Sequence, residues 1–301
     1  MTGTPAGQAS GDGPLAGLRV LVPRAPERAG ALLGALRRAG ADPVAAPLVL
    51  IEPPADTGPL DDAVTALAAG RYDWLAVTSG FTVDSLESSA VRLGRTLADV
   101  VAAGRAAHPS SGTRVAAVGD ATAAALGRAG VDVDYVPTGE QSARGMLTEW
   151  PGLGQRLESG ARGSVLVPQG DLAEPTLSDG LRTLGLRPDV VTCYRNVPAA
   201  PLPADVVADL ASGAIAAVVL TSGSTARRLA EQVTLPSSTL VCSIGPRAAE
   251  VAAQLGLPAG PVADGPHPRA VVDALVRAVA APGGPHRISA PHHTTATATP
   301  R

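Results

Sequence analysis

The chain has 301 residues, 45% of them hydrophobic and 2% aromatic, so it is long enough for two domains with interiors built from Ala, Val and Leu. So few aromatic side chains argue against a base-stacking platform, and a net charge of −3 argues against a general nucleic-acid or membrane-surface binder. All 24 basic residues are arginine, which excludes Schiff-base chemistry and a P-loop lysine.

Apolar runs that predict strands alternate along the chain with periodic segments that predict helices. The first half has predicted strands at 18–22, 43–50, 74–77, 114–118 and 133–136, and predicted helices at 26–38, 60–69, after 80, 120–128 and 142–150. The second half has predicted strands at 164–167, 190–194, 216–220, 240–243 and near 261–263, and predicted helices after 174, 204, 224, 246 and 268. Residues 1–14 and 282–301 lack periodicity and are predicted to be disordered.

Three phrases occur twice, in the same order, and each runs from an apolar strand into a turn. They are 20–24 repeated at 165–169, 77–82 repeated at 220–225, and 114–119 repeated at 240–245. An internal duplication of an α/β unit explains this pattern. Several strands are apolar throughout, as in a parallel sheet covered on both faces. We therefore predict an α/β fold with two doubly wound parallel-sheet domains, and a cleft where the two units face each other.

Two extended segments interrupt the alternation of strands and helices. Residues 48–54 and 191–198 follow the first helix of each half and end in proline. A pair of inter-domain linkers and two ordinary strands leading into loops explain these segments equally well.

The turns after several strands carry groups that suit anions. Thr78-Ser79-Gly80 and Thr221-Ser222-Gly223 stand where a strand's carboxyl end meets a helix N-terminus, the ligand-binding edge of open α/β sheets. Helix N-termini attract negative charge, while Ser and Thr at a helix start also act as simple caps. One such turn alone favours capping; two copies on facing domains favour an anion-lined cleft.

Other turns at the same edge add glycine and arginine. Gly119 and Thr122 begin one helix, Arg247 lies near the start of its counterpart, and Arg24 and Gln169 end the remaining pair of strands. No dinucleotide fingerprint, nucleophile elbow or carboxylate pair accompanies them. The expected cleft therefore offers backbone amides, hydroxyls and a few arginines, which suits a ligand with many carboxylates.

Cysteine and histidine give no sign of a metal or hydrolase site. Cys193 and Cys242 lie in separate apolar runs without zinc spacing and are predicted to be buried thiols. His108 and His267 stand beside prolines, and the other three histidines fall in the C-terminal tail. No apolar run approaches the roughly 20 residues of a membrane span, and the N-terminus lacks a signal-peptide core. The predicted location is cytoplasmic.

Several short motifs, spread over about residues 17–280, resemble those of one protein family. They are Thr78-Ser79, residues 117–123, 139–142, 166–171, the strand of Tyr194, residues 220–224 and residues 244–246. Their order and spacing resemble uroporphyrinogen-III synthases. The resemblance implies that domain 1 combines residues 15–48 and 199–281, that domain 2 holds 53–192, and that a two-stranded linker joins them.

The resemblance also implies an activity. The family cyclises hydroxymethylbilane to uroporphyrinogen III, with loss of water and inversion of ring D, and uses no cofactor. Tyr194 matches the tyrosine proposed to assist departure of the hydroxyl as a weak general acid, and a packing role in the linker fits it equally. The implied substrate-binding residues are Arg24, Thr78, Ser79, Gly80, Gly119, Thr122, Gln169, Thr221, Ser222, Gly223, Ser224 and Arg247.

Two positions depart from the family pattern. Gln169 stands where an arginine is common, and Arg247 follows a turn where threonine is frequent. The alternatives to a synthase are a non-catalytic two-domain binder of an anionic ligand and a regulatory domain that has lost activity. The expected partners are the linear tetrapyrrole and, transiently, the preceding bilane-forming enzyme, and the expected state is a monomer.

Overall fold

The computed structural model describes residues 13–107, 112–151, 163–265 and 267–281. The chain divides into two compact units, unit 1 with Met1–Leu50 and Pro198–Arg301, and unit 2 with Ile51–Val197. Apart from residues 13 and 14, the segments predicted to be disordered lie outside the described residues, as do His108 and the three tail histidines.

The described elements alternate along most of the chain. In order they are β1 (Arg19–Val22), α1 (Pro26–Arg38), β2 (Asp42–Ala45), β3 (Val49–Glu52), α2 (Gly58–Ala68), β4 (Trp74–Val77), α3 (Gly80–Arg92), α4 (Leu97–Ala107), β5 (Arg114–Ala117), α5 (Asp120–Arg128), α6 (Ala143–Thr148), β6 (Ser164–Gly170), α7 (Thr176–Thr183), β7 (Arg187–Pro198), α8 (Ala204–Ser212), β8 (Ala217–Leu220), α9 (Gly223–Ala230), β9 (Leu240–Ser243), α10 (Pro246–Gln254) and α11 (Pro268–Ala280).

Unit 1 contains a parallel four-stranded sheet in the order β2-β1-β8-β9. One face of the sheet packs on α1 and α11, and the other packs on α8, α9 and α10. Helix α1 shows how the sequence specifies this arrangement. Pro26 occupies its first turn, Leu32, Leu33 and Leu36 are buried on one face, and Gly40 follows its end with a positive φ of 88°.

Unit 2 contains a five-stranded sheet in the order β3-β7-β6-β4-β5, in which β7, β6, β4 and β5 are parallel. Its two faces pack on α2 to α5 and on α6 and α7 respectively. Strand β4 is buried throughout because Leu75 and Val77 face the first core while Trp74 and Ala76 face the second. These layers confirm the predicted α/β class with two parallel sheets.

The aromatic residues are distributed unequally. The chain has two Trp, three Tyr and one Phe, and all six lie within unit 2. Trp74, Tyr135 and Trp150 form one cluster, with ring centroids 5.2 to 6.5 Å apart. The interior of unit 1 is built from aliphatic side chains, which is how a composition with 2% aromatics fills two cores.

Both extended segments flagged in the sequence are strands. The segment predicted as one strand at 43–50 is two strands, β2 and β3, and β3 pairs with β7 at the edge of the sheet of unit 2. The boundary between the units falls inside β3 and at the end of β7, after Leu50 and Val197. The chain thus passes between units through two hydrogen-bonded strands.

Two predicted strands are wrong, and one helix was not predicted. Residues 133–136 and 261–263 make only single bridges, at Tyr135 and Val262, instead of strands. At Tyr135 the cause is local, since the carboxylate of Asp134 accepts the N–H of Val115 at 2.7 Å and interrupts the ladder. Helix α4 was not predicted. Its start is marked by Thr96 and Asp99, whose side chains accept each other's backbone N–H groups at 3.1 Å, a capping-box arrangement.

Asp61 joins α2 to α3 through a two-pronged ion pair. Its Oδ1 accepts from Arg92 Nη2 at 2.6 Å and from Ser89 Oγ at 2.5 Å, and its Oδ2 accepts from Arg92 Nε at 3.1 Å. The hydrogen bonds from Arg92 hold the pKa of Asp61 below its ordinary value. This contribution to stability is therefore present above the unfolded pKa and is lost as the pH falls through the folded one.

We expect Asp61→Asn to lower the free energy of unfolding by about 1 kcal/mol at neutral pH, measured by urea denaturation with circular dichroism. The difference from the unmodified chain should shrink as the pH falls below about 3.9, the ordinary pKa of Asp. Asp179→Asn, which removes an exposed pair with Arg182, is the matched control and should change stability by at most a few tenths of a kcal/mol. A cost at Asp61 that does not depend on pH would contradict the ionic origin.

Candidate functional site

In unit 2, predicted site residues lie at the carboxyl ends of four adjacent parallel strands. Tyr194 belongs to β7, Gln169 to β6, the Thr78-Ser79-Gly80 turn follows β4, and the Gly119 turn follows β5. The carboxyl ends of parallel strands share one edge of a sheet, so the fold brings these residues to one side of unit 2.

Ser79 caps α3. Its Oγ accepts the N–H of Thr82 at 3.1 Å and lies 3.0 Å from Thr82 Oγ1, and Thr82 itself is fully buried. Capping, one of the two interpretations of this turn, is therefore real. The first N–H groups of a helix have no intrahelical acceptor, so a cap by Ser79 still leaves this helix N-terminus suited to an anion.

Tyr194 lies beside this cap. Its phenol oxygen is 3.3 Å from Ser79 Oγ, and its ring lies 5.7 Å, centroid to centroid, from the ring of Phe81. Burial raises the pKa of the Tyr194 phenol, and the hydrogen bond with Ser79 offsets part of that rise. At neutral pH the phenol therefore keeps its proton and can donate it in a hydrogen bond.

The turn after β5 is more enclosed than the sequence suggests. Gln141 Oε1 accepts the N–H of Asp120 at 3.2 Å, and Gln141 Nε2 donates to Asp120 Oδ2 at 2.8 Å. A Cβ placed on Gly119 would lie 3.0 Å from Gln141 Cβ, so glycine allows this side chain to close over the turn. Thr122 is 5% exposed on the inner face of α5. Direct substrate contacts at Gly119 and Thr122 stay predictions.

Unit 1 repeats the cap. Ser222 Oγ accepts the N–H of Thr225 at 3.2 Å and lies 2.9 Å from Thr225 Oγ1, as at Ser79 and Thr82. Ser224 Oγ adds a contact to Ser222 Oγ at 2.9 Å, and Thr221 Oγ1 lies 3.3 Å from Thr225 Oγ1. Each unit thus presents one hydroxyl-rich helix N-terminus at the carboxyl edge of its sheet.

Arg24 follows β1, the neighbour of β8, and so shares the carboxyl edge of unit 1 with the Ser222 turn. Its side chain is half-buried, and among the described residues its guanidinium has no ion-pair partner. Burial, followed by the charge of nearby Arg28, lowers the pKa of Arg24. A guanidinium never deprotonates near neutral pH, so this position carries a positive charge that an incoming carboxylate would stabilise.

The two departures from the family pattern differ in exposure. Gln169 is half-buried at the end of β6. Arg247 is more open, with 62% of its side chain exposed, and it pairs with Glu250 at 3.3 Å on the surface of α10. The charge of Arg247 is therefore partly satisfied within its own helix, unlike that of Arg24.

Both cysteines are buried, as predicted. Burial raises the pKa of Cys193 to about 11 and that of Cys242 to about 12, so neither thiol is activated as a nucleophile. Within the residues that the structure describes, no group of three His, Cys, Asp or Glu side chains is placed to hold a metal ion. None of the described helices is long and apolar enough to cross a membrane.

Several residues that shape this edge were not singled out from the sequence. Thr82 and Thr225 stand three positions after Ser79 and Ser222 in the repeated phrase, so their shared spacing was the available signal. Gly170 belongs to the motif at residues 166–171, but that motif does not reveal its contact with the ring of Tyr194, because the contact depends on which strands are neighbours in the sheet.

Loss of a cap should cost stability in a measurable way. We expect Ser222→Ala to lower the free energy of unfolding by about 1 kcal/mol, because the N–H of Thr225 at the start of α9 loses its side-chain acceptor, and Ser222→Gly to cost only a few tenths. Urea denaturation followed by circular dichroism measures both. Ser212→Ala is the control, since its hydroxyl lies at the opposite end of a helix, where it donates to the carbonyl of Asp209 at 3.3 Å and accepts the N–H of Ala214 at 3.4 Å. Equal costs at the two serines would contradict the capping role.

Comparisons with known proteins agree with this geometry. A family model described as uroporphyrinogen-III synthase HemD matches residues 30–273. The uroporphyrinogen-III synthase of Synechococcus elongatus is 26% identical over 250 residues, which cover 78% of this chain and 85% of that protein. Two solved uroporphyrinogen III synthases share the fold. That of Thermus thermophilus has a TM-score of 0.57 at 21% identity, covering 86% of this chain and 98% of its own. That of Helicobacter pylori has a TM-score of 0.52 at 15% identity, covering 85% and 97%.

Proposed function

The chain belongs to the uroporphyrinogen-III synthase family, the hydro-lyases of tetrapyrrole biosynthesis, and from this we propose that the phenol of Tyr194 assists loss of the hydroxyl from hydroxymethylbilane while helix N-termini and Arg24 bind its carboxylates. The observation that carries the proposal is the Tyr194 phenol, half-buried and 3.3 Å from Ser79 Oγ, beside the N-terminus of α3.

The protonation state of Tyr194 suits this role. Because burial raises the pKa of the phenol, it is neutral at physiological pH and donates a hydrogen bond. A donor placed on the hydroxyl of the substrate helps that group leave as water, and the electron-rich pyrrole stabilises the cation that remains. The leaving hydroxyl takes up one proton and departs as water. Ring closure later releases one proton from carbon, so the protons balance and the reaction loses one water overall.

The remaining work is positioning. The substrate carries eight carboxylates, and each unit offers a capped helix N-terminus of the kind that binds anions without cationic side chains. Arg24 adds a charge that no described residue neutralises. We assign the carboxylate contacts chiefly to the backbone at Gly80 and Gly223 and to Arg24. Holding the linear chain in one conformation favours the spiro intermediate over simple end-to-end closure.

The experiment that tests the function is an isomer analysis. Purified protein is supplied with hydroxymethylbilane made in place by the bilane-forming enzyme, and the products are oxidised and separated as type III and type I porphyrins. We expect predominantly type III. Only type I, which forms without a catalyst, would overturn the enzymatic role and leave a binding or regulatory protein. Transient contact with the bilane-forming enzyme, a cytoplasmic location and a monomeric state stay predictions.

A further inference from the structure

We propose that Gly170 and Asp171 are positioning residues that hold the phenol of Tyr194 in place, an inference that rests on the proposed role of Tyr194. Neither residue was assigned a part in binding or catalysis from the sequence. The observations that carry the inference are the order of the strands, the space around Gly170 and the hydrogen bonds of Asp171.

Strand order explains why a glycine stands at position 170. The sheet of unit 2 runs β7-β6-β4, so the strand of Tyr194 and the strand that leads to Ser79 are separated by β6. The side chain of Tyr194 must therefore cross the end of β6 to bring its phenol oxygen within 3.3 Å of Ser79 Oγ. Gly170 is the last residue of β6 and is the partner of Tyr194 in the ladder. The phenol reaches Ser79 over a strand end that carries no side chain.

The ring of Tyr194 occupies the space in which a side chain at position 170 would begin. A Cβ added there would lie 2.7 Å from Tyr194 Cζ and 3.0 Å from its phenol oxygen, and the three nearest heavy atoms all belong to this one side chain. The backbone of Gly170 is not strained, since its φ is not positive. An alanine at this position would therefore be accommodated by displacing the tyrosine ring, with the backbone of β6 unchanged.

Asp171 fixes the backbone of Tyr194 from the other side. Its N–H donates to the carbonyl of Tyr194 at 3.1 Å, and its Oδ1 accepts from the backbone N–H and the Nδ2 of Asn196, both at 2.9 Å. The ladder between β6 and β7 shifts register between Gln169 and Gly170, so regular pairing alone does not hold the chain here. Asp171 therefore adds hydrogen bonds to Tyr194 and Asn196 at the point where the register shifts, and these hold the backbone of β7 on both sides of the Tyr194 side chain.

The test uses Gly170→Ala, Tyr194→Phe and the double variant, with Gly127→Ala as the matched control. Gly127 lies in α5 and an added Cβ there meets nothing within 4 Å, so this control tests a glycine-to-alanine change away from Tyr194. We expect Gly170→Ala to lower kcat for type III product by roughly 10- to 100-fold, since a displacement of about 1 Å can cost that much, with KM changed by no more than about 3-fold. In the Tyr194→Phe background the same change should have no further effect on kcat.

A spectroscopic measurement reports the position of the ring independently of turnover. The chain has three tyrosines, so labelling the ring Cζ with ¹³C gives three NMR signals, and Tyr194→Phe identifies one of them. Burial is the largest cause of the raised pKa of Tyr194, so a ring pushed toward solvent should titrate closer to the ordinary value of about 10. Gly170→Ala should therefore move the Tyr194 signal and lower its pKa, while Gly127→Ala should leave both unchanged.

Variants of Asp171 provide a second test, which does not depend on whether the Gly170→Ala variant folds. Asp171→Ala removes the acceptor for Asn196, whereas Asp171→Asn keeps an oxygen there. We expect the alanine variant to lose kcat and shift the Tyr194 signal, and the asparagine variant to restore both.

Three outcomes would overturn the inference. They are full kcat in Gly170→Ala, an equal loss of kcat in the Tyr194→Phe background, and an unmoved Tyr194 signal. Full activity of Tyr194→Phe would rule out both the proposed role of Tyr194 and this inference. The synthase activity itself would still stand in that case, because the variant would still form type III product.

Discussion

Tyr194→Phe is expected to lower the rate of type III product formation by about 100-fold, the lower end of what general acids contribute, while the protein stays folded. Within the part of the chain that the structure describes, the phenol oxygen makes one side-chain hydrogen bond, to Ser79 at 3.3 Å, and the ring keeps its contact with Phe81 in the variant. Removing the oxygen thus removes the donor and little of the packing. Steady-state kinetics with separated isomers measures the effect, and KM should change far less than kcat because the hydrogen bond strengthens as the hydroxyl leaves.

Tyr135→Phe is the matched control for this prediction. Its phenol donates to the carbonyl of Met146 at 3.0 Å within the aromatic cluster, on the face of the sheet opposite the core against which Tyr194 packs, so the change costs stability without altering the surroundings of Tyr194. The pH profile adds a second check. Because the pKa of Tyr194 is raised, the unmodified enzyme should keep its rate until the pH exceeds the ordinary phenol value of about 10. Full activity of Tyr194→Phe would show that the tyrosine only packs between strands.

Gly80→Leu is expected to lower kcat/KM by roughly 100-fold, more than Thr78→Ala, which should cost no more than about 3-fold. Gly80 is the first residue of α3, it is exposed, and an added Cβ there meets no atom within 4 Å. A leucine is therefore tolerated by the fold but occupies the space beside the first N–H groups of the helix. If those groups bind a substrate carboxylate, the larger side chain blocks it, whereas removal of the Thr78 hydroxyl leaves them accessible.

Gly80 is a cleaner test position than its counterpart Gly223, because a Cβ on Gly223 would lie 3.0 Å from Val251 and would change packing as well as binding. Gly127→Leu is the control, since it also adds a leucine in open space on a helix. Circular dichroism should show all variants folded. A larger loss in Thr78→Ala than in Gly80→Leu would contradict binding through the backbone and point to the hydroxyl instead.

The sequence predicted those parts of the fold that depend on local signals. The α/β class, the parallel sheets and the limits of α1 are confirmed, because strand hydrophobicity and helix periodicity are local properties. The family and its activity are confirmed as well, through motifs whose order is visible in the chain. Helix α4 was missed although Thr96 and Asp99 have capping-box spacing, and the predicted strand at 133–136 failed because Asp134 competes for the N–H of Val115.

The site shows a different limit of prediction from sequence. The turns at Ser79 and Ser222 were found because each stands at the end of an apolar run, and the structure shows both as caps. The relation between Gly170 and Tyr194 was not accessible, since it requires knowing that β6 lies between β7 and β4. Strand order is a property of the tertiary fold, and spacing along the chain does not contain it.

The confinement of every aromatic side chain to unit 2 makes the two units optically distinct. Trp74 and Trp150 both lie in one core of unit 2, so intrinsic fluorescence reports the unfolding of unit 2 and does not detect that of unit 1. The helices of unit 1 are detected by circular dichroism. The unfolding of unit 2 can therefore be followed separately, by fluorescence, without an added label. Destabilisation in unit 1, as in Ser222→Ala, should separate the two unfolding curves if the units melt independently and shift both together if they melt as one.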